Sequence, residues 1–245
     1  MQQLVLFDLD NTLVDRQLAF CAWAREFAAE RGFGEEAARW LVTADARGVG
    51  PRDQFFCAVR ERFGLAEPAD VLWGKFRSRM PELVECRPEV LEGLSRMRAS
   101  GWRVGIVSNG MADNQLAKIE RTGLSEHVDA CCVSGEVDIR KPDIRIFQLA
   151  AERCGSDLSG GGWMVGDNPE HDIAGGRGAG LQTVWIAGQQ DWPAGEPEAD
   201  HTVEDAAAAI SFLLAGIVAS EPHLTATGMS KFGGWCGSRR SVSSP

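Results

Sequence analysis

Leu4-Val5-Leu6-Phe7-Asp8-Leu9-Asp10-Asn11-Thr12-Leu13 begins with four apolar residues and runs straight into acidic and turn-forming ones. A short apolar run without polar alternation suits a strand buried on both faces of a parallel sheet, which puts any chemistry at its carboxyl end. Asp8 and Asp10 stand two residues apart, so extended geometry carried past the strand would lean both carboxylates toward one side of the sheet. Two like charges held close are costly unless a cation or a proton sits between them. Asp-Asn-Thr after a strand is also ordinary turn and cap chemistry, so this stretch does not settle a function.

Downstream, apolar runs alternate with helical patterns. Pro88-Glu89 opens a helix with Val90, Leu91, Leu94 and Met97 on one face, and Gly101 closes it. Trp102 to Val107 reads as a second strand and Val128 to Val133 as a third. A helix with Pro142 in its first turn then runs to Arg153 and stops at Gly155. Trp163 to Val165 and Gln182 to Ile186 are the fourth and fifth strands, and Ala206 to Ala219 is a buried helix. The alternation predicts an α/β, Rossmann-like, doubly wound parallel sheet that binds its ligand beyond the carboxyl ends of the strands.

The interval between Leu13 and Pro88 is too long for a simple crossover. It carries helical apolar periodicity in Phe20, Trp23, Ala24 and Phe27, and again in Phe55, Phe56, Val59 and Phe63. The expected organisation is a core of residues 1–15 and 87–219, a helical cap of residues 16–86, and a disordered tail of residues 220–245 rich in Ser, Gly, Thr and Arg. Hinges belong near Val14 to Arg16 and Glu85 to Pro88.

Composition narrows the classes. Thirty-five acidic against 25 basic side chains give a net charge of −10, which disfavours nucleic-acid polymers and anionic membranes as partners. The longest near-apolar run, residues 206–219, is shorter than the roughly 18 residues that read as a bilayer span. Seven cysteines without CxxC spacing read as reduced cytoplasmic thiols rather than a zinc site, and the N-terminus lacks the positive start of a signal peptide. Adjacent Cys131 and Cys132 fall on opposite faces of a strand and read as core residues.

Three further segments place polar groups at element ends. Ile106-Val107-Ser108-Asn109-Gly110 ends a strand in a hydroxyl, an amide and a glycine, a set that holds phosphate oxygens or equally caps a helix. Lys141-Pro142 places an ammonium just before a helix. Val165-Gly166-Asp167-Asn168-Pro169-Glu170-His171-Asp172 follows a strand with two aspartates five residues apart, hard oxygen donors of the kind that suit Mg²⁺. His171 is more simply a partly exposed turn residue than a base.

Asp8-x-Asp10-x-Thr12, Ser108-Asn109, Lys141-Pro142 and Gly166-Asp167-x4-Asp172, in this order and each at an element end, resemble the four motifs of the haloacid dehalogenase superfamily over residues 4 to 215. The segment between the first two motifs matches the subclass with a helical cap at that position. The resemblance implies a phosphohydrolase that acts on a small phosphorylated metabolite through an aspartyl-phosphate. Asp8 would be nucleophile and Asp10 general acid and then base. Thr12 and Ser108 would hold phosphate oxygens, with Asn109 and Gly110 contributing through the backbone, while Lys141 neutralises charge. Mg²⁺ would be held by Asp8, the Asp10 carbonyl and Asp167, with Asp172 a ligand or the orienter of one.

Other activities of the superfamily are separable. A dehalogenase typically replaces the second aspartate, which is present here as Asp10, and an ATPase pump needs membrane spans. A phosphomutase keeps both aspartates and remains the enzymatic competitor. A receiver domain needs only about 120 residues, within the usual domain range, and a non-catalytic relative would usually have lost one of Asp8, Asp10 or Asp167. Substrate choice should lie in the cap, where Arg16, Phe20, Arg47, Gly48, Gly50 and Arg52 are candidates, although each reads singly as solvated surface or cap core.

Overall fold

The computed structural model describes residues 3–46, 52–188, 190–195 and 197–220. The tail expected after Ser220 and the cap candidates Arg47, Gly48 and Gly50 lie outside the described residues.

Six parallel strands form one sheet, β1 (Leu4–Phe7), β2 (Arg103–Ser108), β3 (Ala130–Val133), β4 (Trp163–Gly166), β5 (Gln182–Ile186) and β6 (His201–Val203), in the spatial order β3-β2-β1-β4-β5-β6. Strand order reverses between β1 and β4, so their carboxyl ends flank the crevice where such sheets bind ligands. The side-chain period of two splits β1 between two cores. Val5 and Phe7 join the larger apolar cluster, while Leu4 and Leu6 join a second one with Val107, Cys132, Phe147 and Met164. Cys131 packs on the first cluster and Cys132 on the second, the opposite faces expected of neighbours on a strand.

Between β1 and the next core helix, the described residues form α1 (Arg16–Glu30), α2 (Gly34–Ala46), α3 (Arg52–Phe63) and α4 (Ala69–Leu83). Asp15 caps α1 by accepting from the Leu18 N–H, satisfying one of the amides a helix start leaves free. Trp23, Phe56 and Phe76 form the centre of the helical group, with Trp23 and Phe76 edge-to-face at a centroid distance of 4.8 Å. Such pairs add about 0.5–1.5 kcal/mol beyond the area they bury.

The second half alternates as expected through α5 (Pro88–Ala99), α6 (Ala112–Arg121), the short α7 (Leu124–His127) and α8 (Ser134–Val137), α9 (Ile144–Arg153), the short α10 (Gly175–Gly178) and α11 (Ala206–Ser220). Pro88 sits at the start of α5, where a missing N–H costs nothing. Ala206, Ala209, Ile210 and Leu213 of α11 are buried, while Ser211 is exposed.

One expectation needs correction. Pro142 is not in the first turn of α9: it follows Lys141 through a cis peptide, and Asp143 caps the helix by accepting from the Arg145 N–H. His171 is half-buried, as its reading as a partly exposed residue required, and lies in a π-helical turn, Pro169–Ala174. β6 has no counterpart in the sequence reading, because its three residues are half-buried or exposed and form no apolar run.

Candidate active site

Asp8 is the first residue past β1, and its N–H donates to the Val165 carbonyl of β4 at 2.9 Å. Extended geometry ends there. Asn11 adopts a φ of 60°, a left-handed conformation that asparagine tolerates, and the N–H groups of Thr12, Leu13 and Val14 turn back to the Leu9 carbonyl. Asp8 and Asp10 therefore do not share one partner, as persistent strand geometry had suggested: each faces its own lysine.

Asp8 faces Lys141. The ammonium lies 2.6 Å from Asp8 Oδ1 and 2.6 Å from Asp172 Oδ1, with the lysine 2 % exposed. The other Asp172 oxygen accepts the Asn168 N–H at 3.0 Å. Asp8, Asp167 and Asp172 bring carboxylate oxygens within 4.8 Å of one another. Burial above all raises Asp8 well above its ordinary range, with Asp172 and Asp167 pushing the same way against Lys141. Burial and then Asp172 raise Asp167 to about 6. Lys141 itself is raised, because Asp172 and Asp8 outweigh its own burial. One ammonium thus leaves Asp8 and Asp167 still reluctant to ionise, and the chemistry and spacing of the three carboxylates fit a hard divalent cation.

Several neighbours fix this geometry. Asn109 exchanges two hydrogen bonds with the Lys141 backbone, donating to its carbonyl at 3.0 Å and accepting its N–H at 2.9 Å. Trp185 Nε1 donates to the Asp167 carbonyl at 2.9 Å, and Asn11 Nδ2 donates to Asp167 Oδ2 at 3.4 Å. Gly166 admits the Asp172 carboxylate into the space that a Cβ would fill. The Gly110 N–H donates to Ser134 Oγ at 3.0 Å, so Gly110 is tied to the β3–α8 junction.

Asp10 is turned the other way. Its two oxygens lie 2.7 and 2.9 Å from Lys118 Nζ, and Oδ2 also accepts from Gln115 Nε2 at 3.0 Å. Burial opposes ionisation of Asp10, yet Lys118 outweighs it and holds the carboxyl below its ordinary value. The same Gln115 amide donates to Ser108 Oγ at 2.8 Å. Thr12 Oγ1, by contrast, is buried and has no hydrogen-bond partner among the described residues.

A cleft of about 610 Å³ opens beside Asp10, Asn109, Gly110, Gln115 and Lys118 and is bounded on the helical side by Arg16, Arg52 and Phe76. Arg16 and Arg52 both bind Asp45, whose side chain is 3 % exposed. Two guanidinium groups on one carboxylate leave an excess positive charge at the cleft.

Every expected site residue that approaches Asp8 or Asp10 does so from a different element, but Lys118, Gln115, Asn11, Asp45 and Trp185 were not anticipated. A lysine and a glutamine three apart on an amphipathic helix read as solvent-facing, and no local signal distinguishes a buried pair.

A family model for haloacid dehalogenase-like hydrolase matches residues 2–180. Ribulose-1,5-bisphosphate 5-phosphatase of Halopiger xanaduensis is 33 % identical over 234 residues, covering 83 % of this chain and 96 % of that protein. Pyrimidine 5'-nucleotidase YjjG of Escherichia coli is 37 % identical over 111 residues, so here the chain spans about half, 49 %, of its relative and 45 % of itself is matched. Among solved structures, the putative HAD-hydrolase YfnB of Bacillus subtilis, described as bound to magnesium, superposes with a TM-score of 0.71 at 23 % identity, over 86 % of this chain and 98 % of that one, which shows a shared fold. The chain belongs to the haloacid dehalogenase-like hydrolases. The expectation of a phosphohydrolase is borne out, since curated relatives are named phosphatases. No helix among the described residues is long and apolar enough to cross a membrane.

Proposed function

We propose that this protein is a Mg²⁺-dependent phosphomonoesterase that cleaves a small phosphorylated metabolite in two steps through an aspartyl-phosphate on Asp8. The observation that carries this reading is the buried Lys141 ammonium held between Asp8 and Asp172, with Asp167 beside them, at the sheet's strand-order reversal.

A phosphate monoester and Asp8 are both anionic, so attack requires positive charge at the reacting atoms. Lys141 supplies one charge through a contact already in place. Mg²⁺ held by Asp8 and Asp167 would supply the rest by neutralising the phosphoryl oxygens, and Asp172, both of whose oxygens are engaged, orients Lys141 and the Asn168 loop. Thr12 Oγ1 is a buried hydroxyl without a partner, an arrangement that normally costs about 1–3 kcal/mol unless a ligand satisfies it. A phosphate oxygen is that ligand in this reading, with Ser108 donating its own proton to a second. Asp10 protonates the leaving alcohol and afterwards takes a proton from the water that attacks the aspartyl-phosphate.

The helices between Arg16 and Leu83 act as a lid over the cleft, and Arg16 and Arg52 face the leaving-group end. Inorganic phosphate release from a panel of phosphorylated metabolites, with and without Mg²⁺, tests the proposal. Release that depends on Mg²⁺ and is lost in Asp8→Asn is the expected result. Turnover that survives in folded Asp8→Asn removes the central claim, and phosphate returned to a sugar instead of released makes the protein a phosphomutase.

A further inference from the structure

Lys118 is a buried cation that the mechanism above does not use. Its side chain is 3 % exposed, and its ammonium is held by both Asp10 oxygens and by Gln115 Oε1 at 2.9 Å. Gln115 completes a ring of contacts, since its amide nitrogen bridges Asp10 Oδ2 and Ser108 Oγ. Positions 115 and 118 are one helical turn apart on α6 and so share a face. Gly110 makes room for Gln115, because a Cβ there would meet Gln115 Cγ at 2.7 Å. Both side chains line the cleft together with Asp10. An exposed salt bridge would say little, but burying a lysine is expensive and is retained only when its charge is matched and its donors are used.

We propose that Lys118 and Gln115 are a positioning pair that locks the Asp10 carboxylate, by three hydrogen bonds, in the orientation that delivers its proton to the leaving oxygen. The inference rests on the phosphohydrolase reading and adds to it. In the first half-reaction an Asp8 oxygen bonds to phosphorus, the bond from phosphorus to the ester oxygen breaks, and that oxygen takes a proton from Asp10, which must first acquire it from solvent because Lys118 favours its ionised form. A carboxyl free to rotate loses this alignment, because proton transfer needs the donor within hydrogen-bond reach of its acceptor. Lys118 touches neither phosphate nor metal in this scheme and acts only through Asp10.

The nature of the leaving group separates positioning from mere support. An alkoxide needs a proton as it departs, whereas p-nitrophenolate is stable as an anion and needs little help. The test compares kcat/KM of the full-length, Mg²⁺-loaded protein for p-nitrophenyl phosphate and for the best alkyl phosphate found in the metabolite panel. Lys118→Met is expected to lose about tenfold or more in kcat/KM on the alkyl ester beyond its loss on the aryl ester, within the range general acids supply. Lys118→Arg, which keeps a cation and donors, should recover part of the alkyl activity.

Equal losses on both esters would mean that Lys118 only supports the site, and unchanged rates would mean that Asp10 does not need it. Either outcome overturns the proposal. If Lys118→Met does not fold, Lys118→Gln is read by the same ratio. Failure of the phosphohydrolase reading itself is distinct, because wild type would then release phosphate from no ester at all.

Discussion

Mg²⁺ should stabilise this protein more at pH 7.5 than at pH 5, and the structure gives the size of the difference. Asp167 is raised to about 6 by burial first and by Asp172 second. The sign follows from linkage: a carboxyl raised in the folded state binds more protons folded than unfolded, so the contribution of Asp167 to metal-free stability is fully present below about pH 4 and is lost as pH rises through about 6. A cation that needs the carboxylate must displace that proton. One unit below its pKa, Asp167 is about ten-elevenths protonated, which weakens Mg²⁺ binding about elevenfold through this group alone. At a concentration about 100 times the pH 7.5 Kd, Mg²⁺ adds about 2.7 kcal/mol, and at pH 5 the same concentration adds about 1.4 kcal/mol. For a chain of this size the difference is about 3 to 5 °C in the Mg²⁺-induced rise of Tm. Differential scanning fluorimetry at both pH values, on wild type and Asp167→Asn, measures it. Equal Mg²⁺ shifts at the two pH values in wild type would refute the reasoning, as would an unchanged pH dependence in Asp167→Asn.

Two substitutions extend the reasoning. Lys141→Met removes the one ammonium between Asp8 and Asp172, and breaking a buried pair in this way costs about 3 to 5 kcal/mol; chemical denaturation should show the loss at neutral pH together with loss of phosphate release, whereas full stability would mean that the carboxylates do not depend on this lysine. Gly166→Ala inserts a methyl group where the Asp172 carboxylate lies, so kcat should fall about 100-fold or more, as a misplacement of about 1 Å in such a site can do, and normal kcat would show that the Asp172 position is not critical.

The sheet was largely legible because β1, β2 and β4 are apolar runs buried on both faces, and such runs end where polar site residues begin. Gln182–Ile186 of β5 coincides with its expected bounds. The first strand residues of β2 and β3 lie later than expected, at Arg103 and Ala130, because Trp102 and Val128 are buried without joining the ladder. β6 was illegible for the converse reason, being defined by backbone pairing to β5 rather than by burial of its side chains.

Asp8, Asp10, Thr12, Ser108, Asn109, Lys141, Asp167 and Asp172 are candidates from the sequence because spacing and residue type within four local motifs carry the signal. What the sequence could not contain is which cation meets which carboxylate. Asp8 pairs with Lys141 across 133 positions and Asp10 with Lys118 across 108, and both pairings follow from how β1, α6 and the Lys141 loop converge. Asp45, fixed between Arg16 and Arg52, is a further case. Strand and helix periodicities are properties of neighbours along the chain, so sequence determines them. The charge that surrounds a buried carboxylate is set by whichever distant side chains the folded core brings beside it, so tertiary structure alone decided that.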